Sequence, residues 1–250
     1  MNKMDGVVVG LVASLDDPQS QGRIKLRFPW LAEDGADSGW APIVNPMAGK
    51  ERGFYYMPEV DDEVLVAFEH GDINHPFVVG FLHNGVDLPP FDGIDAHVRR
   101  VRTVSGHMLE FDDRSGQESV RLSTNSGHQL EMRDPEGFVE LVTNAGQKIR
   151  LQDTPGQISL STVTGVTVTI SDAGGVSVMA PVGAVSVTSL NATVNATASA
   201  AVNATAVTLN TPLLTVNSGL AVFSGVVQCQ TLVSTAVASL SYTPGAGNLL

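Results

Sequence analysis

The chain has 250 residues, 43% of them hydrophobic, so it can build a packed core and is not a disordered polymer. Its net charge of −12 excludes a broad phosphate-binding surface, which needs clustered Lys and Arg, and its single cysteine, Cys229, excludes an intrachain disulfide. The start Met1-Asn2-Lys3-Met4-Asp5 has no apolar signal core and no later apolar run is as long as a membrane helix, so synthesis in the cytoplasm without a signal peptide is expected.

Residues 6–90 read as short strands separated by turn clusters. Gly6–Val12 is a first strand, followed by the turn-rich Asp16-Asp17-Pro18-Gln19-Ser20-Gln21-Gly22. Arg23–Trp30 alternates strictly and puts Ile24, Leu26 and Phe28 on one face. After acidic residues Glu33, Asp34 and Asp37, a strand is predicted at Trp40–Val44. Val64–Phe68 is a buried strand, His70–Pro76 a hairpin loop and Phe77–Leu82 the last strand. Five or six short strands in this length suggest a small closed barrel of the OB type.

The ordered set Gly22-Arg23-Ile24-Lys25-Leu26-Arg27-Phe28-Pro29-Trp30, Trp40, Ala48–Gly53, Met57–Asp72 and Pro76–Gly80 resembles the barrel domain of contractile-tail spike proteins. That family takes in the phage baseplate assembly protein V group and the VgrG proteins of type VI secretion. The chain departs from it at Asp61-Asp62-Glu63, where the family often has a glycine before the Asp-Glu pair. The resemblance implies a trimeric needle capped by three barrels, a tail hub above them and a PAAR-type protein at the tip.

Residues 91–104 read as a linker opened by Pro89-Pro90, with Arg99, Arg100 and Arg102 as a solvated basic cluster neutralising Asp92 and Asp95. From 105 the chain repeats. Gly106, Gly127, Gly146 and Gly165 each open a strand, and their spacing of 21, 19 and 19 is kept by Gly116, Gly137, Gly156 and Gly175, which follow an acidic turn. One unit is therefore strand, turn, strand, turn, with glycine supplying positive φ at the reversals.

The charges fade along these units. All fourteen Lys and Arg lie at or before Arg150, and after Asp153 the only charged residue is Asp172. The first units carry Glu, Arg and Asp at the parity where later ones carry Thr, Ser and Asn. Beyond 184 the apolar positions shrink as well: Val194, Ala196, Ala198, Ala200 and Val202 share one parity and are expected to pack on a trimer axis in a narrowed rod. The end, Ser241–Leu250, is uncharged and is expected to be a tip segment, with Tyr242, Pro244, Leu249 and Leu250 docking the cap protein.

No residue pattern supports catalysis or a cofactor. His70, His75 and His83 with Asp72 match no zinc spacing and read as surface or packing residues. His107 and His128 share a place in two units, but Gln147 and Val166 follow there, which argues against a metal ladder. The Asn-Ala-Thr triplets at Asn191, Asn195 and Asn203 read as outward polar positions. No Ser/His/Asp or Cys/His set and no phosphate loop is present.

The expected fold is all-β: an OB-fold barrel (1–90), a linker (91–104), a triple-stranded intertwined β-helix forming a homotrimeric needle (105–240) and a tip segment (241–250). Winding three copies about one axis would close the strand edges that a single chain leaves open. The expected function is the central, membrane-piercing spike of a contractile injection system or phage-like baseplate, with itself, a tail hub, a tip protein and a target envelope as partners and no nucleic acid. Two other readings stand beside it. An OB-fold binding module on a single-chain β-solenoid is weakened by six basic against fourteen acidic residues in 1–90. A polysaccharide-active β-helix enzyme is weakened by the uncharged later rod.

Overall fold

A computed structural model describes residues 3–31, 37–91, 93 and 95–238. Glu33, Asp34, Asp92 and the whole expected tip segment, including Tyr242, Pro244, Leu249 and Leu250, lie outside the described residues.

The barrel begins with β1 (Val7–Ser14), β2 (Lys25–Arg27), a two-rung hairpin of β3 (Ala48–Gly49) and β4 (Arg52–Gly53), then β5 (Glu63–Phe68) and β6 (Pro76–Phe81). The main sheet runs β2-β1-β5-β6. The expected strand at Trp40–Val44 appears as two bridges, Ile24 to Ala41 antiparallel and Ile43 to Val78 parallel. These bridges join the two open edges, so five segments form a closed ring, the five-stranded OB arrangement. Closure by so few rungs follows from sequence: Pro42 has no N–H to give a ladder, although its carbonyl accepts from Val78 N at 3.0 Å.

Inside the ring lie Val12, Ile24, Leu26, Phe28, Ala41, Val64, Val66, Phe68 and Val78, all buried. The alternation of Ile24, Leu26 and Phe28 puts them inward as expected. Gly10 is small because the Phe28 ring lies 3.3 Å from where its Cβ would stand. His70–Pro76 connects β5 to β6. Its Asp72 carboxylate accepts from Asn74 N and Asn74 Nδ2, and His75 Nδ1 lies 3.2 Å away. These residues order a loop; no group of three or more metal-ligating side chains occurs among the described residues.

The second part is a nine-stranded antiparallel meander: β7 (Val98–Arg102), β8 (Met108–Asp112), β9 (Ser119–Ser123), β10 (Gln129–Arg133), β11 (Phe138–Val142), β12 (Lys148–Gln152), β13 (Gln157–Ser161), β14 (Thr167–Ser171) and β15 (Gly175–Met179). Three expectations are corrected here. The linker is shorter than 91–104, because β7 already pairs with β8 from Val98. Its arginines are not simply solvated: Arg100 pairs with Glu110 and donates to Pro90 O at 2.7 Å, while Arg99 donates to Asp113 at 2.6 Å. Finally, consecutive strands over 98–179 pair within the chain, so neither interwinding nor a coiled solenoid closes their edges; among the described residues β7 and β15 are the edge strands of this sheet.

The turns explain why the chain pairs with itself. At one end of the sheet, Thr103, Thr124, Thr143 and Thr162 each stand three residues before a glycine with φ of 86°, 95°, 91° and 83°. Each threonine accepts the glycine N–H through its carbonyl, and its Oγ1 accepts the N–H of the residue after that glycine at 3.0–3.2 Å. At the other end, Asp113, Asp134, Asp153 and Asp172 donate their N–H to His97, Glu118, Gly137 and Gly156, which carries the ladder through the turns. Gly156 departs from the positive-φ expectation; it is needed because a Cβ there would collide with the Asp172 carboxylate.

Residues 188–250 form a separate unit. From Pro181 to Ala238 no strand forms and every residue is exposed. The expected strands of the distal rod are therefore absent from the single chain. The reason is legible: 184–218 contains no glycine, so the Thr-x-x-Gly reversal that makes every second hairpin of the sheet is missing there.

Candidate functional site

The register of the meander sorts every strand residue onto one face, because residues directly opposite in an antiparallel pair project to the same side. One column reads Val101, Leu109, Leu122, Leu130, Leu141, Ile149, Leu160, Val168 and Val178. The neighbouring column on that face reads Arg99, Phe111, Val120, Met132, Val139, Leu151, Ile158, Ile170 and Val176. Apart from Arg99, both columns are apolar over nine strands. At a strand spacing of ~4.8 Å the stripe is about 38 Å long. It is open: Leu122, Leu141 and Ile170 are 53%, 48% and 46% exposed.

The opposite face has a central column of Arg100, Glu110, Arg121, Glu131, Glu140, Arg150, Ser159, Thr169 and Ser177. Arg121 lies 2.7 Å from Glu131 and 3.8 Å from Glu110, and Glu140 is held by Lys148 at 2.9 Å and Arg150 at 3.2 Å. Glu131 and Glu140 stand directly opposite, a like-charge pair that costs energy unless compensated. Arg121 and Arg150 on their outer sides supply that compensation. Within the single chain this polar face is the shielded one: Glu110, Asp112 and Glu131 are buried while the leucines are not. Long neighbours cover the carboxylates, as where the Arg150 guanidinium lies 3.9 Å above the Phe138 ring. Beyond β12 the column turns to Ser and Thr, so the predicted fading of charge is a change along one line of the sheet.

Asp112 is held by Arg114, whose side chain donates to it at 2.8 Å, and this bond lowers its pKa from 3.8 to about 2. In the barrel, Arg23 likewise pulls Asp17 well below the usual carboxylate range. Histidines 107 and 128 have a structural task. Their Nδ1 atoms accept from the backbone N–H of Asn125 and Asn144, at 3.2 Å and 3.1 Å, and so tie each turn to the next.

Val194, Ala196, Ala198, Ala200 and Val202 all lie in the exposed, unpaired segment, so the chain alone does not bring them together. Sequence reasoning missed the turn threonines, although Thr103, Thr124, Thr143 and Thr162 repeat at the same 21, 19, 19 spacing as the glycines. It also missed a second open apolar surface. Val7 and Val9 on β1 and Phe77, Val79 and Phe81 on β6 project out of the barrel and are exposed. The signal was Val7-Val8-Val9 and Phe77-Val78-Val79, runs that are apolar on both faces.

A closed barrel is thus joined to a sheet that leaves one face apolar and open apart from Arg99. Residues 8–83 match the family model described as the Type VI secretion system/phage-baseplate injector OB domain. Among curated proteins, the chain is 27% identical over 128 residues to the type VI secretion system spike protein VgrG3 of Vibrio cholerae, covering 45% of this chain and 13% of that protein. It is 27% identical over 115 residues to the spike protein VgrG2a of Pseudomonas aeruginosa, covering 42% and 14%. It is 25% identical over 151 residues to the actin cross-linking toxin VgrG1 of V. cholerae, covering 55% and 13%. The chain thus spans about an eighth of the length of these relatives. Over residues 8–83 the chain is similar to the injector OB domain, and the relatives it matches are VgrG proteins.

Proposed function

We propose that three copies of this chain form the central spike of a contractile injection particle, phage-like or of the type VI kind. The observation that carries this reading is exposed area. The chain leaves 20,037 Å² open to solvent, whereas a folded monomer of its mass exposes about 10,600 Å² by the usual scaling. The apolar stripe and the exposed residues 181–238 are part of that open area, and three chains about one axis can cover both. Over 98–179 each copy contributes a finished sheet that turns its apolar columns to the axis. Over 181–238, where a chain has no partner of its own, the backbone groups find theirs in the other copies, with Val194, Ala196, Ala198, Ala200 and Val202 on the axis.

In the particle, the barrels meet the tail hub, and Tyr242, Pro244, Leu249 and Leu250 seat a PAAR-type tip protein. Contraction drives the rod into a target envelope, and the work is mechanical. The loss of charge toward the end suits this, since a charge at the bilayer centre costs roughly 2.5–3.5 kcal/mol on insertion scales. Pairing between chains satisfies the backbone, as lipid demands. The test is molar mass in solution by light scattering. Three times 26.2 kDa is expected, and a stable species of 26.2 kDa sinks the proposal.

A further inference from the structure

The barrel carries a groove that the spike role does not use. It is a cavity of ≈ 730 Å³ between the loop joining β1 to β2 and the β3–β4 hairpin with the residues after it. Its wall is the consecutive aromatic run Phe54-Tyr55-Tyr56. Phe54 and Tyr56 stack at 6.0 Å with 21° between their planes, and Tyr55, 79% exposed, presents a face to solvent. Gln21, Asn45 and Glu51 bring two amides and a carboxylate to the rim. Asn45 donates its Nδ2 to Ile43 O at 3.1 Å, which leaves its Oδ1 to accept.

The groove is built in advance. Asp17 lies under its first loop, nearly fully buried, and accepts from the backbone of Gln19, Gln21 and Arg23 as well as from the Arg23 side chain. Two lining residues, Ser20 and Glu51, hold φ of 52° and 57°, a conformation that non-glycine residues keep only where the surroundings impose it. The loop after the first strand and the adjoining strand face form the side on which OB barrels take oligonucleotides and oligosaccharides. Charge separates these two. With fourteen acidic and six basic residues in 1–90 the barrel repels a phosphate backbone. Flat aromatic faces beside amide and carboxylate groups suit a sugar ring, whose C–H face stacks on the ring while its hydroxyls bond the rim.

We propose that this groove binds a neutral oligosaccharide, with Tyr55 and the Phe54–Tyr56 pair as stacking platforms and Gln21, Asn45 and Glu51 as hydroxyl partners. The proposal stands apart from the spike reading.

Titration calorimetry of the full chain with cellohexaose, chitohexaose and a twelve-nucleotide oligo-dT tests it. Saturable binding of at least one glycan and none of oligo-dT is expected. Tyr55→Ala should weaken glycan binding roughly two- to tenfold, the scale of one aromatic contact, and Tyr55→Ala/Tyr56→Ala more. Phe77→Ala, on the outward face of β6, should leave it unchanged. The proposal is overturned if neither glycan binds, if oligo-dT binds instead, or if the tyrosine variants bind as wild type. It is equally overturned if Tyr55→Ala lowers the molar mass of an assembly that takes no glycan, because the groove is then a contact between copies.

Discussion

Asp61 carries a φ of 74°, a left-handed conformation that costs an ordinary residue about 1 kcal/mol or more. It stands where the spike family often has glycine. Its exposed pair with Arg27 at 2.9 Å returns little. Asp61→Gly should therefore raise barrel stability by about 0.5–1 kcal/mol, and Asp61→Val should lower it by about 1–2 kcal/mol. Urea denaturation followed by tryptophan fluorescence checks both. Acid acts through a second aspartate. Asp112 falls from 3.8 to about 2 on folding because Arg114 holds its charged form. Its contribution is present in full above about pH 4 and is lost as pH falls through about 2. Thermal midpoints should drop over that window, and Asp112→Asn should flatten part of the drop. An unchanged slope in the variant would show that the Arg114 contact contributes nothing to acid sensitivity.

The sheet separates two jobs by parity. Its central polar column binds strand to strand, and its apolar columns wait for cover. Leu141→Asp or Ile149→Asp puts a charge in the face that the proposed trimer buries, so trimer yield should collapse while the monomer sheet survives. Ser159→Asp, on the other face, should assemble normally. Sedimentation velocity distinguishes these, and equal behaviour would mean that the apolar face is not the contact. In the distal segment the alanine parity makes a sharper demand. Ala196→Leu or Ala198→Leu overpacks the proposed axis and should block assembly, whereas Thr197→Lys should be tolerated. The element boundary near Met179 follows from turn chemistry. Thr-x-x-Gly reverses the chain four times, and after Gly183 the next glycine is Gly219.

At the scale of the whole molecule, a charged barrel and a proximal sheet fold on contacts of their own, and a distal segment does not. This predicts a hierarchy. Unfolding of the proposed trimer should be slow and should resist SDS until boiling, because in that arrangement the distal segments part before any chain is released. An unboiled sample that runs as monomer on a gel would show that no such interlock exists.

The sequence by itself determined much of this. Strict alternation at Arg23–Trp30 placed Ile24, Leu26 and Phe28 in the barrel core, since period two admits no other face. The glycine spacing of 21, 19 and 19 determined the repeat, because positive φ is a local property that glycine supplies. Other matters were decided only in three dimensions. That the repeats form hairpins within one chain depends on which strand each edge meets, and a period-two pattern is the same whether the partner is the next strand or another copy. That Glu110 and Glu131 lie shielded while Leu122 and Leu141 stay open depends on the long side chains laid over each face. The groove walled by Phe54, Tyr55 and Tyr56 exists because barrel closure at Ala41 and Ile43 brings the first loop against a segment some thirty residues later. Such juxtapositions are set by chain packing over long sequence separations, which no local pattern encodes.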